Sequence, residues 1–232
     1  MNISKLALGI TGAAVALALA GPVSAAQVFS TGYDTPNGDG QAHSGSFNYW
    51  DKAYTGAGAT TTDGAPLSGG KGDLTDGVIA SDFWFNVENG AGTGPYVGWR
   101  GDVGVKDPLV TFHFAGTPTI NSITVYLDNS LTGGVGSPDA ILVDGVSQAF
   151  VGPAGGTIGS VVLGGLSLSG STHTLQFIQD TTFVWTFVSE VTFDGASAGT
   201  HGGIPEPGVW AMMILGFGLA GATLRRRSAA TA

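Results

Sequence analysis

The chain has no cysteine among its 232 residues. Disulfide staples are thereby excluded, so a folded body must rest on an apolar core or on a bound metal. Basic residues are scarce as well. Between residues 27 and 204 only Lys52, Lys71, Arg100 and Lys106 stand against sixteen acidic side chains, a net charge of −12 for that segment and more acidic than the −9 of the whole chain. A field of this sign disfavours nucleic acid and anionic lipid and favours divalent cations; its plainer consequence is solubility. Helical periodicity is missing too, since no stretch from 27 to 204 sustains apolar residues at helical spacing. The chemistry-bearing motifs are equally sparse. There is no phosphate loop, no GxGxxG, and no metal spacing among His43, His113, His173 and His201. Residues 195–199 fit the pattern of a nucleophile elbow, but they follow the last expected strand in a glycine-rich segment with no helix behind them, so the match is chance. The run 69–73 resembles half of a calcium-binding nonapeptide repeat; it occurs once and lacks the aspartate at the required offset.

What the sequence does have is glycine, forty residues of it, and short alternating runs rich in Val, Ile, Phe, Thr and Trp. These runs predict strands at 46–50, 83–87, 109–114, 122–127, 140–143, 146–151, 159–163, 173–178 and 183–193. Asp144 and Gly145 form a two-residue turn between two of them, because both positions of a type I′ turn need positive φ. His113 and His173 fall in alternating strands, where solvent-facing rings are the simpler expectation. The stretch 53–72 has few large apolar residues and reads as a long loop. A body of this length supports one domain. The expectation is an all-β fold, a single antiparallel β-sandwich of jelly-roll type over 27–195, with a glycine-rich linker at 196–204.

The two ends differ from the body. Residues 1–26 run from Lys5 through an apolar stretch, 6–19, to Gly21, Pro22 and small residues ending at Ala25 and Ala26. That is the order of a secretory signal peptide, with cleavage after Ala25 or Ala26. At the other end, 209–224 is apolar and uncharged, and Arg225, Arg226 and Arg227 follow at once. As a helix it would be about 24 Å long, short against a hydrocarbon core of about 30 Å, but apolar all round. Arginines beside a span stay cytoplasmic, which places the body outside.

Pro205, Glu206 and Pro207, then Trp210 in the apolar segment, then the three arginines closely resemble a PEP-CTERM sorting signal of the PEPxxWA subtype, over 205–232. The resemblance implies recognition by an exosortase after signal peptidase has acted, transient membrane anchoring, and a Gram-negative producer of exopolysaccharide. The prolines support this reading physically, since they keep the motif extended ahead of the helix.

The body is similar, more distantly, to the galactose-binding-like sandwich of discoidin-type modules, through residues 72–77 (GDLTDG), 96–99 (YVGW), 107–114, 120–127 and 189–193 (SEVTF). That resemblance implies a structural Ca2+ near the LTDG loop, with Asp73, Asp76 and Glu190 at the matching positions. Calcium takes six to eight oxygens, so backbone carbonyls would complete the shell; the alternative is that Asp76 and Gly77 only make a turn and Glu190 caps or pairs on an edge. For a sugar site, exposed aromatics with polar neighbours are needed, and Trp84, Tyr96, Arg100 and Asn129 are the candidates. Phe83, Trp84 and Phe85 cannot all face inward from one strand, which points to an exposed Trp84 or neighbour. The reading is an exported, non-catalytic surface or matrix protein that binds polysaccharide; the alternatives are a structural matrix protein without a sugar site and, less favoured, a polysaccharide-active enzyme.

Overall fold

A computed structural model describes residues 26–40 and 46–197. The expected signal peptide, the span at 209–224 and the sorting motif lie outside these residues. Among the described residues, no helix is long and apolar enough to cross a membrane.

The described chain is an antiparallel β-sandwich. Its strands are β1 (Ala26–Val28), β2 (Ser30–Pro36), β3 (Pro66–Gly70), β4 (Val97–Arg100), β5 (Leu109–Phe114), β6 (Thr119–Asn129), β7 (Ala140–Val143), β8 (Val146–Gln148), β9 (Thr157–Leu163), β10 (Leu168–Ser169), β11 (Thr172–Ile178) and β12 (Trp185–Ala196). One sheet runs β1-β12-β6-β10, with β4 also on β12 and β9 also on β6; the other runs β3-β2-β5-β11-β7-β8. Alternation explains the core. In β5, Val110, Phe112 and Phe114 point inward between Leu109, Thr111 and His113, and in β11 the same period buries His173, Leu175 and Phe177. These side chains meet Ile123, Val125, Val191 and Phe193 of the facing sheet.

β12 departs from alternation, being buried on both faces from Trp185 to Val191. The segment between β3 and β4 covers its outer face. The Val191 amide donates to the Leu74 carbonyl (2.9 Å), the Gly77 amide to Glu190 (2.9 Å), the Ala80 amide to the Ser189 hydroxyl (3.3 Å) and the Trp84 amide to Asp128 (2.7 Å). A register shift between Val188 and Glu190 lets the consecutive residues Ser189 and Glu190 both reach this cover.

Several expected elements differ. Residues 83–87 are not a strand: Trp84–Val87 is one helical turn, α1, whose first amide is caught by Asp128. Residues 46–50 are not a ladder strand among the described residues; there Asn48 makes an isolated bridge to Asn89. The expected loop 53–72 contains β3, and β2 and β4 carry too few alternating apolar residues to announce themselves. In β4, Gly98 is required by contact: a Cβ there would lie 2.3 Å from the Phe187 ring. The Asp144–Gly145 turn forms as expected, with φ of 48° and 78°. His173, expected at the surface, is buried, because its Nδ1 reaches the Asp144 carboxylate across that turn at 2.7 Å. His113 is half-buried and pairs with Asp34 at 2.9 Å.

Candidate functional site

Three loops and two strand ends converge at the end of the sandwich where β4 and β6 finish and β12 begins. Arg100 pairs with Trp185 across β4 and β12. Its guanidinium grips Asp102 with two bonds, 2.6 and 3.0 Å, and lies 5.7 Å from the Trp185 ring centroid. The bond to Arg100 holds the Asp102 carboxyl below the usual range. Asp39 supports the same corner from below, accepting from the amides of Arg100 (2.6 Å) and Val105 (3.2 Å); burial raises its carboxyl above the usual range. Gln179 ties the neighbouring loops together. It donates to the Trp99 carbonyl (2.7 Å) and accepts from the Asp107 amide (2.9 Å).

Beneath Arg100 lies a second core cluster of Tyr49, Trp84, Tyr96, Val135, Trp185 and Phe187. Its rings meet mostly edge to face, Tyr49 with Trp185 at 5.1 Å and 76°, and Tyr49 with Trp84 at 5.8 Å and 87°. A cleft of about 180 Å³ opens over it, lined by Tyr49, Trp84, Arg100, Gly133, Val135, Trp185 and Phe187. A second, of about 120 Å³, shares Arg100 and Trp185 and adds Asp39, Gly40 and Asp63. Asp63 is itself placed by the Trp50 indole (2.7 Å) and the Gly40 amide (2.8 Å).

Of the four candidate sugar residues, Arg100 and Trp84 line the clefts and Tyr96 and Asn129 do not. Arg100 stands exposed at the rim. Trp84 lines the floor but is only 3% exposed, with its indole nitrogen donating to the Thr132 carbonyl (3.2 Å); of the three consecutive aromatics it is the neighbour Phe85 that is exposed, stacked on Phe83. Tyr96 is 1% exposed and its hydroxyl donates to the Asp82 carbonyl, away from the cleft. Asn129 is buried and braces a loop, donating to the Pro153 carbonyl (2.7 Å) and accepting from the Ser137 amide (3.1 Å). Sequence reasoning missed Asp39, Asp63 and the leading role of Trp185; the first two sit in Asp-Gly pairs, a signal read only as turns.

Along the flank of the sandwich, Asp51, Asp73 and Glu190 are buried and Asp76 is exposed. Asp51 accepts from the Asp73 amide (3.1 Å) and from the Tyr33 hydroxyl. Burial pushes the Asp51 carboxyl up to about 6, Asp73 to about 8 and Glu190 to about 7. The charges acting on Asp73 are those of Asp51, Asp76 and Glu88, all negative. Asp76 accepts from the Val78 amide (2.8 Å), which closes the turn expected at Gly77. Among the described residues, no three His, Cys, Asp or Glu side chains are grouped closely enough to hold a metal by themselves.

Sequence comparisons now separate the two ends of the chain. Residues 203–227 match the PEP-CTERM protein-sorting motif. The motif marks an exported protein held transiently in a membrane. Ahead of this PEP-CTERM segment, residues 30–143 match the DS-like domain of discoidin domain-containing receptors 1 and 2. No curated protein matches the chain in sequence. Solved structures resemble the sandwich loosely. A fucolectin from striped bass (Morone saxatilis) serum is 11% identical, with a TM-score of 0.38, over 73% of this chain and 78% of its own. A Streptococcus pneumoniae fucose binding module is 14% identical, with a TM-score of 0.37, over 64% and 96%. The Streptococcus pneumoniae β-galactosidase BgaA is 10% identical, with a TM-score of 0.36, over 52% and 82%.

Proposed function

We propose that the protein is a non-catalytic polysaccharide-binding protein of the cell surface or extracellular matrix, released there by an exosortase. The observation that carries the binding reading is the pair of clefts sharing Arg100 and Trp185, where a guanidinium fixed by Asp102 lies near a largely buried indole on two paired strands. Concave sites with an aromatic floor and a few placed polar groups are what small ligands use. A glycan array probed with the mature protein, with and without calcium, tests it: binding that falls at least tenfold in Arg100→Ala supports the site, and an array with no hits overturns it. A structural matrix role without a sugar site is the second reading, favoured by the deep burial of Trp84 and Tyr96.

The flank is proposed to hold Ca2+. Its donors are oxygens only, Asp73 is buried among like charges with no hydrogen bond to its carboxylate, and no cationic side chain acts on it. Asp73, Asp76 and Glu190 would be ligands, with backbone carbonyls completing the shell.

Sorting is proposed to depend on Pro205, Glu206, Pro207 and the arginines 225–227. Glu206→Ala should leave export intact but accumulate unprocessed, membrane-held precursor, read with a C-terminal epitope tag. Normal release of that variant would refute the role of the motif.

A further inference from the structure

We infer that the loop-end cleft selects neutral sugar units and rejects uronate or sulfated ones, an inference that rests on the polysaccharide-binding reading of the same site. The reason lies in how its charges are already paired. Arg100, the one basic residue in the two clefts, has both Nε and Nη2 committed to Asp102 and its face turned to Trp185, so its charge is offset before any ligand arrives. Around it stand Asp63 on one side and Asp180 on the other; a third cleft of about 180 Å³, lined by Gly101, Asp102, Lys106, Gln179, Asp180, Thr181 and Val184, continues the surface past Arg100. Lys106 is the only other cation there. With Asp102 and Arg100 cancelling, Asp63 and Asp180 outnumber Lys106 as charges lining this surface, and Asp39 lines it too.

A carboxylate or sulfate brought to this corner meets repulsion from acids that have no counter-ion among the described residues, and a guanidinium whose charge Asp102 already offsets. A hydroxyl group meets the opposite: carboxylates are acceptors, and sugar O–H groups donate to them without bringing charge. The acidic body extends the same bias to the approach of the polymer.

The decisive measurement is affinity electrophoresis or calorimetry of the mature protein with a galactan and a mannan as neutral probes, and polygalacturonate and alginate as uronate probes, at 20 and 150 mM NaCl. The inference expects a neutral probe to bind at least tenfold more tightly than either uronate at low salt, with the gap narrowing at the higher salt as repulsion is screened. Asp102→Asn, at an exposed position, frees the Arg100 guanidinium and removes one negative charge; it should raise uronate binding at least threefold. Wild-type protein that binds polygalacturonate as tightly as the neutral probes, with binding lost in Arg100→Ala, overturns the selectivity while leaving sugar binding at this site intact. Failure of all four probes and of a wider array overturns the binding reading itself, and the selectivity with it.

Discussion

The loop-end corner and the flank of the sandwich are both acidic, and they handle that acidity in opposite ways. At the corner, Asp102 has a guanidinium and Asp39 two backbone amides, and the Asp102 carboxyl is held below its usual range. On the flank, Asp51, Asp73 and Glu190 have been taken out of water, Asp51 and Asp73 beside each other and Glu190 beside Asp76, with backbone amides and one tyrosine hydroxyl as hydrogen-bond donors, and all three are pushed up. Composition alone treats these aspartates as equivalent. Position decides that Asp102 is neutralised within the chain by Arg100 and that the flank carboxylates are left asking for a cation from outside.

The largest expected effect breaks this contrast on the flank. Excess calcium over chelator should raise the thermal midpoint by several degrees, since a ligand bound to the native state alone at one hundred times its Kd stabilises by about 2.7 kcal/mol. Asp73→Asn and Glu190→Gln should each abolish that gain. Equal midpoints with chelator and with calcium would remove the site.

A second, smaller effect sharpens it. Glu88 is buried beside Gly94, accepts from the Tyr96 amide (2.8 Å) and leaves its Oε2 without a partner; burial pushes it to about 8. A carboxyl raised in the folded state contributes stability that is fully present below its unfolded value near 4.5 and is lost as pH rises toward 8. Relative to Glu88→Gln, the wild type should therefore lose on the order of 2 kcal/mol between pH 5 and pH 8. Denaturant midpoints at the two pH values measure it, and a wild type that gains on the variant over that range contradicts it.

The smallest effect lies at the corner. Arg100 and Asp102 are each about 40% exposed, so Arg100→Ala should cost less than about 1 kcal/mol of stability while removing the cleft rim. A loss of several kcal/mol in urea titration would show that Arg100 is part of the framework and not a free rim residue.

Much of the sandwich was legible in sequence because its strands obey a period of two: β5, β7 and β11 fall where 109–114, 140–143 and 173–178 predict them. β2 and β4 were not, since STGYDTP and VGWR hide their inward positions behind glycines that exist for close approach, as at Gly98. The turn at 84–87 was misread because its aromatic run resembles a strand, while what folds it is the distant Asp128. At the site, Arg100 was legible as a scarce cation. Trp185 was legible as an aromatic available for stacking, but its place beside Arg100 depends on the β4–β12 pairing, and Asp39 and Asp63 carry no local mark beyond the glycine that follows each.

β12 begins at the corner with Trp185 and ends at Ala196, where β1 lies beside it with Ala26 opposite Gly195. Twelve strand residues at about 3.3 Å each make a rigid spacer of roughly 36 Å. The described chain therefore ends at the side of the sandwich opposite the Arg100 corner. A hold on the C-terminal side, as proposed for sorting, would thus act a full strand length away from the Arg100 clefts.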